Sequence, residues 1–359
     1  MSTPLLSICI PAYNRPEFLK DLLKSIVKED FSDYEIIVSE DNSPKTDEIE
    51  KIVEEFQKLY LDIQIKFFRN ETTLGYDGNF RTTINRSSGE FCVFMGDDDL
   101  IANGALAKIA QKIKDNKENN IGVILRSWAR ANRLTDEIVE YHHYFDTDRF
   151  FNKGTESAVT LFKRSVAIAG YTVNRKLAIK FQTDIFDGSL LYQLYLTGAI
   201  LSEANAYYIS DVIAIMRKDI DQKPTHFFGT AKSEKQKFNP QVLDPQNSIN
   251  FMKGMFEIAE YLESEFSMKG MLMKTQKDIG NYSFPILSLH ADKGIKTMLS
   301  YYVILGKMGL SKSPYFHIYF FSIIFIGKKN CERIISYLKK INKSTPLLGK
   351  VYSGEKIIK

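Results

Sequence analysis

The first half of the chain alternates short apolar runs with segments whose apolar positions recur at helical spacing. The runs at 5–10, 35–39, 63–68, 91–95 and 121–125 are rich in Ile, Val and Phe. Their apolarity is nearly continuous, which predicts strands covered on both faces. Between the first two, Pro16 suits a first helical position, and Phe18, Leu19, Leu22, Leu23 and Ile26 follow at helical spacing. Further helices are predicted over 47–59, 77–86 and 104–114. Strand–helix–strand alternation at this spacing predicts an α/β fold: right-handed βαβ units in a mainly parallel sheet.

The pattern weakens between Trp128 and Ala178, where 158–168 reads as one more strand. A helix is predicted over 184–197, stopped by Gly198, and then a strand around 206–209. Residues 217–247 are polar and contain Pro224, Gly229, Pro240 and Pro245, which predicts a loop of a length common in lids. From Ser248 onward the chain reads as helical pieces broken by Gly and Pro. No internal repeat or low-complexity tract interrupts it.

Composition excludes several classes. The 359 residues are 44% hydrophobic and 26% charged with only 20 Gly and 10 Pro, so a disordered, collagenous or disulfide-scaffold protein is ruled out. Cys9, Cys92 and Cys331 form no CxxC pair, and the first two sit in apolar runs, which fits a reducing cytosol. No basic leader precedes the first apolar run, so no signal peptide is expected, and no stretch reaches the ~18 apolar residues of a membrane span. Charge is unevenly placed. Residues 290–359 hold 12 Lys and 1 Arg against 1 Asp and 2 Glu, a net of +10, while the whole chain is +4 and residues 1–289 are therefore −6.

Three segments carry candidate chemistry. Phe91-Cys92-Val93-Phe94-Met95-Gly96-Asp97-Asp98-Asp99 puts three consecutive carboxylates at the end of a buried strand, where ligands collect in open α/β sheets. Adjacent like charges need a positive or strongly donating neighbour, and oxygen-only ligands favour a hard cation such as Mg²⁺ or Mn²⁺ shared with a phosphate. Read alone, the triplet is equally a solvated turn capping the helix near Gly104. Glu40-Asp41-Asn42-Ser43 ends a second strand and is either an Asx turn or N-cap, or an Asp that accepts a hydrogen bond from a nucleobase. Pro11-Ala12-Tyr13-Asn14-Arg15-Pro16 follows the first strand and alone reads as a β-to-α turn.

In this order the three resemble the family 2 glycosyltransferases, which have the glycosyltransferase-A (GT-A) fold, a Rossmann-like sheet flanked by helices. The matching stretches are SICIPAYNRPEFLKDLLKSI, YEIIVSEDNS and NETTLGYDGNFRTTINRSSGEFCVFMGDDDLIANGAL, and the resemblance is good over residues 4–125 and loose to about 220. It implies that Pro11, Ala12, Tyr13, Asn14 and Arg15 line a base and ribose pocket. Asp41 would take the N3–H of a uracil-type base, a contact that thymine permits and cytosine does not. Asp97 would approach the ribose, Asp98 would bind the metal bridging the donor diphosphate, and Asp99 would be a second metal contact or a structural cap. The family often has an Asp where this chain has Gly96. A base at the start of a helix beside the acceptor is expected. Counting back from Gly198 selects Asp187 with Asp184 as runner-up, at positions where the helix dipole favours a carboxylate. Helix caps are the plain alternative for both. Arg217 and the loop His226 are candidates for the diphosphate or metal. Arg81 is either a diphosphate contact or part of a solvated helix face.

The resemblance thus implies an inverting transfer from a nucleotide-sugar donor, UDP-linked above all, to a hydroxyl of a glycan acceptor, lipid-linked, for bacterial surface polysaccharide. The implied organisation is a GT-A domain over 1–216, a loop or lid over 217–247, and a helical basic region over 248–359. In the last of these, Ser313-Pro314 opens a 12-residue apolar run ending at Ile326, and Ile334, Ile335, Leu338 and Ile341 follow at helical spacing among lysines. Aromatic anchors with Lys clusters suit an anionic membrane surface, and the expected location is the cytoplasmic face of the cell membrane. A buried helix or an oligomer contact is the competing reading of that run. No nucleic-acid motif accompanies the lysines, so nucleic acid is not expected. Two other functions compete with this one. A nucleotide-sugar pyrophosphorylase needs a Gly-rich amino-terminal loop that is missing after residue 10, whereas a non-catalytic nucleotide-sugar-binding or scaffold protein would keep the same motifs.

Overall fold

In a computed structural model, which describes residues 3–218, 229–240, 244–342 and 350–353, the chain opens with three strands paired in parallel. These are β1 (Leu6–Ala12), β2 (Tyr34–Glu40) and β3 (Gln64–Arg69), joined by helices α1 (Pro16–Ile26) and α2 (Thr46–Leu59). Helix α3 (Gly75–Arg86) leads to β4 (Phe91–Phe94), which lies parallel to β1 on its other side. A short β5 (Leu100–Ile101) and α4 (Ala105–Asp115) follow, then β6 (Ile121–Asn132), β7 (Ile138–His143) and β8 (Arg149–Phe151). Next come α5 (Thr155–Phe162), β9 (Tyr171–Asn174), α6 (Arg175–Lys180), α7 (Tyr192–Leu201) and β10 (Asn205–Lys218). Past α8 (Lys232–Lys235) the chain is helical: α9 (Pro245–Glu265), α10 (Met271–Asn281), α11 (Phe284–Ser288), α12 (Ile295–Lys307), α13 (Pro314–Ile326) and α14 (Lys328–Asn342). A last strand, β11 (Lys350–Ser353), pairs antiparallel with β7.

The main path through the sheet runs β11-β7-β6-β9-β4-β1-β2-β3, with β10 parallel to β6 and antiparallel to β5 and β8. The central strands are buried almost throughout, as two covered faces require, and successive side chains enter alternate cores. Ile8, Ile10 and Val93 join α1, α2 and α4 in one core, while Cys9, Cys92 and Phe94 join α3, α5 and α7 in the other. Each fully buried Leu of α1, such as Leu19, Leu22 or Leu23, contributes on the order of 2 kcal/mol. A third core, with Tyr301, Leu305, Phe316 and Phe320, belongs to the carboxyl-terminal helices.

Three sequence expectations are corrected here. The segment 158–168 is not a strand: it contains the end of α5 and a 3-10 turn at Lys163–Ser165, because Ala158, Leu161 and Phe162 are buried at helical spacing. The helix expected over 184–197 starts only at Tyr192 and runs through Gly198 to Leu201. Gly198 serves close packing rather than termination, since a Cβ there would meet Leu262 Cδ1 of α9 at 2.2 Å. The strand around 206–209 grows to the 14 residues of β10, whose carboxyl half reaches the cleft described next.

Candidate active site

A cleft of about 870 Å³ opens at the carboxyl ends of β1, β2 and β4. Its lining includes the β1–α1 turn (Pro11, Ala12, Tyr13, Arg15), Asp41, Gly96 and the three aspartates, with Arg130, Arg133 and Arg217 across from them on β6, its following turn and β10. Asn14 is not part of the wall. It adopts φ 59° in the turn and donates its N–H to Ser43 Oγ at 3.0 Å. A second hollow of about 490 Å³ lies at the opposite, amino ends of β1 and β4. Ligands in open α/β sheets collect at the carboxyl ends, which favours the first.

Asp41 is not the cap of α2. That helix has no side-chain cap, and Glu40 instead braces the turn before it, with Oε1 accepting Ser43 N–H and Oε2 accepting the Thr46 hydroxyl. Asp41 instead holds the amino end of α3: Oδ1 accepts Asn70 Nδ2 (2.7 Å) and Leu74 N–H (2.8 Å), and Oδ2 accepts Gly75 N–H (2.8 Å). A carboxylate offers about four lone-pair sites, so these three leave one for a ligand. Burial pushes the Asp41 pKa up to about 6 against the pull of its donors.

The aspartate triplet divides into three environments. Asp97 is buried, with Oδ2 accepting Tyr13 N–H (2.9 Å) and Oδ1 accepting Arg15 Nη1 (2.9 Å), and burial raises its pKa to about 6 although Arg15 opposes this. Asp98 is the most open, and its Oδ2 lies 3.2 Å from Arg15 Nη1 and 3.6 Å from Arg133 Nη2. Asp99 is buried, and desolvation together with Asp98 and Asp97 drives it toward the protonated form. None of the three caps α4: Glu29 does so by accepting Gly104 N–H and Leu106 N–H. Gly96 also acquires a reason. A Cβ there would stand 2.6 Å from Asp99 Oδ2, so a side chain at that position would require the Asp99 carboxylate to move.

Arg217 lines the cleft, pairs with Asp21 at 3.0 Å and donates Nε to the Asp98 carbonyl at 3.4 Å. His226 lies outside the described residues. Arg81 faces Asp187 and not the aspartate triplet. It leaves the cleft wall to form a two-point ion pair with Asp187 (Nη1–Oδ1 2.5 Å, Nη2–Oδ2 2.8 Å), and also donates to Thr183 O. The turn holding Asp184 and Asp187 precedes α7 by several residues, so neither is at a helix start. Asp184 is exposed, and neither is on the cleft wall, although the adjoining Leu190 and Leu191 are.

Sequence reasoning missed several residues that shape the site. Asp77, buried in the first turn of α3, caps α7 from a distance by accepting Leu190 N–H (2.8 Å) and Tyr192 N–H (3.0 Å), and burial raises its pKa to about 7. Glu234, buried on the cleft wall, accepts Tyr76 N–H at 2.7 Å and Thr230 N–H at 3.0 Å, and Thr230 hydrogen-bonds Tyr13. Residues 229–240 are thereby pinned over the amino end of α3. Trp128 stacks on His142 at 3.7 Å, and Arg133 lies over the Phe18 ring at 3.9 Å. The strand expected at 121–125 extends to Asn132, and the arginines at 126, 130 and 133 concealed that second half of β6.

Residues 7–180 match the family model described as Glycosyl transferase family 2. The GalNAc(5)-diNAcBac-PP-undecaprenol beta-1,3-glucosyltransferase of Campylobacter jejuni is 39% identical over 276 residues, 74% of this chain and 76% of that protein. The chain belongs to the family 2 glycosyltransferases. The abequosyltransferase RfbV of Salmonella typhimurium is 28% identical over 162 residues, covering 42% of this glycosyltransferase and 47% of that one. Among solved structures, Staphylococcus aureus TarS 1-349 in complex with UDP-GlcNAc aligns with a TM-score of 0.56 and 16% identity, over 88% of this chain and 90% of that one. At that identity the likeness is one of fold, and the fold is GT-A: a mixed sheet with a parallel amino-terminal half, flanked by helices, with a helical carboxyl-terminal region. The chain is accordingly an enzyme of the glycosyltransferase class.

Proposed function

We propose that this glycosyltransferase moves a sugar, with inversion, from a UDP-sugar to a hydroxyl of a lipid-linked glycan during bacterial surface-polysaccharide synthesis. The observation that carries the reading is one cleft with a buried Asp41, three acceptor sites filled and one left, and an Asp98 that keeps an open carboxylate among arginines. The lipid-linked acceptor follows the undecaprenol-linked glycan for which the Campylobacter jejuni relative is named. In this reading residues 1–216 carry the donor site, the described part of 217–247 walls it, and the basic 248–359 region keeps the enzyme on the cytoplasmic face of the membrane.

The donor set suits a hard divalent cation, Mn²⁺ or Mg²⁺. Of the three consecutive aspartates Asp98 has the most open carboxylate, and among the described residues no group of three His, Cys, Asp or Glu could form a cage. One carboxylate completed by substrate phosphates is the usual provision for such ions. Bound there, the ion would offset the charge that develops on the departing UDP. Arg15, Arg133 and Arg217 supply fixed positive charge on the same side. Asp41 orients the base by accepting N3–H, and Asp97 holds Tyr13 and Arg15 against the ribose. Asp187 takes the acceptor proton as the acceptor oxygen bonds to the anomeric carbon and the bond from that carbon to the diphosphate oxygen breaks. Arg81 has to yield one of its two contacts for this. Asp184 is the substitute base, and Asp99 is a buried structural partner rather than a metal contact.

Nucleoside diphosphate release from a panel of UDP-, dTDP-, GDP- and CDP-sugars, with and without Mn²⁺, tests the reading. UDP-sugars should be turned over, with metal. A chain that binds donors and releases nothing with any of them, even with extracted lipid-linked glycan, would return the non-catalytic alternative.

A further inference from the structure

The apolar run expected to lie on a membrane surface, or else to be a buried helix or an oligomer contact, is buried on one side and exposed on the other. One side of α13, with Phe316, Phe320 and Ile323, is buried in the carboxyl-terminal core, while Ile318, Phe321 and Phe325 stand out, Phe325 at 81% exposure. Helix α12 has a matching stripe that the sequence did not reveal. Ile295, Leu299 and Val303 recur every fourth residue and are exposed, whereas Met298, Tyr301 and Leu305 are buried. The two stripes border one seam. Tyr302 of α12 stacks on Phe320 at 3.9 Å, and its ring lies 6.4 Å from that of Phe321, which in turn stacks on Phe325. Lys296 and Lys307 are exposed at the two ends of the α12 stripe.

We propose that this lysine-bounded face of α12 and α13 docks on an anionic lipid bilayer. Contiguous exposed apolar surface of this kind marks an interaction site. Charge selects the occupant. The face lies in the +10 region, so two copies meeting through it would bring like charge together, whereas an anionic leaflet is complementary. Depth is limited as well. At 13 residues α13 is about 20 Å long, and no helix among the described residues is long and apolar enough to cross a membrane. The helices therefore lie along the interface with their aromatic side chains inserted. This gives the lipid-linked acceptor of the preceding section a surface on which to meet the enzyme. The docking rests on that reading for its purpose only, because the test contains neither donor nor acceptor.

The test is co-sedimentation of the full chain with vesicles of phosphatidylcholine alone or mixed with phosphatidylglycerol, at low and high salt. The full chain should sediment with the anionic vesicles, far less with neutral ones, and less at high salt because screening acts on the lysines. Phe321→Ser with Phe325→Ser changes exposed positions only and should lower the vesicle partition coefficient at least about tenfold, as should Lys296→Glu with Lys307→Glu. UDP affinity should stay unchanged in both variants. Full-chain protein left in the supernatant with anionic vesicles at low salt would overturn the proposal. So would a lipid-free dimer that the Phe321→Ser, Phe325→Ser variant dissociates, since the face would then belong to a second copy. Loss of donor turnover with vesicle binding intact would instead count against the proposed function alone.

Discussion

Replacing Asp41 by Asn perturbs two things whose sizes follow from its contacts. The carboxylate accepts three protein hydrogen bonds and offers one further site to a ligand. The amide keeps one oxygen, so either Gly75 N–H or the pair Asn70 Nδ2 and Leu74 N–H faces an NH₂ group. A buried donor left unpaired costs about 1–3 kcal/mol, which lowers the melting temperature without abolishing the fold. At the ligand side, a hydrogen bond from uracil N3–H to a charged acceptor is worth about 1.5–3 kcal/mol, or roughly 10- to 100-fold in affinity. Cytosine carries a bare N3 at that edge, which the carboxylate repels and an amide NH₂ can satisfy. The expected outcome is therefore a change in selectivity: the UDP dissociation constant rises by about one to two orders of magnitude, while that for CDP changes little or falls. Calorimetric titration of both nucleotides into parent and variant, below the melting transition, reads this directly. Equal weakening of UDP and CDP would mean that Asp41 merely supports α3. Unchanged UDP affinity would remove it from the base pocket altogether.

Further expectations concern proton and charge. Binding of uridine favours the ionised Asp41, whose pKa in the free protein is about 6, so affinity should be full above that pH and fall about tenfold per unit below it. Uridine is the probe because it has no phosphate to titrate, and a flat profile between pH 7 and about 5 would refute the assignment. Asp187→Asn should cut turnover by orders of magnitude, about 10²-fold or more, with UDP affinity unchanged, as expected for a base that acts in the transition state. If that variant keeps full turnover and Asp184→Asn loses it, the role passes to Asp184.

The parallel core and the residues at the ends of its strands were legible because each rests on local pattern. Near-continuous apolar runs give β1, β2 and β4, and the aspartates fall just past the ends of β2 and β4, on the cleft wall. What escaped was set by distant partners. Arg126 made the strand expected at 121–125 look finished, yet β6 continues through it to Asn132, and its guanidinium is buried with Nε and Nη2 donating to the carbonyls of Ala169 and Ala167. Gly198 read as a terminator because chain pattern cannot reveal the Leu262 side chain pressed against it. Asp77 acts as the cap of a helix more than a hundred residues away, so no cap signal stands before Tyr192. The ion pair of Arg81 escaped for the same reason, since its partner, Asp187, is far along the chain.

The most direct test of the central claim, that the cleft between Asp41 and Asp98 is a metal-assisted donor site, is UDP binding with and without Mn²⁺ in the parent and in Asp98→Asn. The parent should bind UDP more tightly with Mn²⁺. In Asp98→Asn that gain should vanish while the fold and the weaker metal-free binding persist, because the substitution removes an open ligand from a cleft and not a core contact. A variant that binds UDP with Mn²⁺ as tightly as the parent would contradict the account.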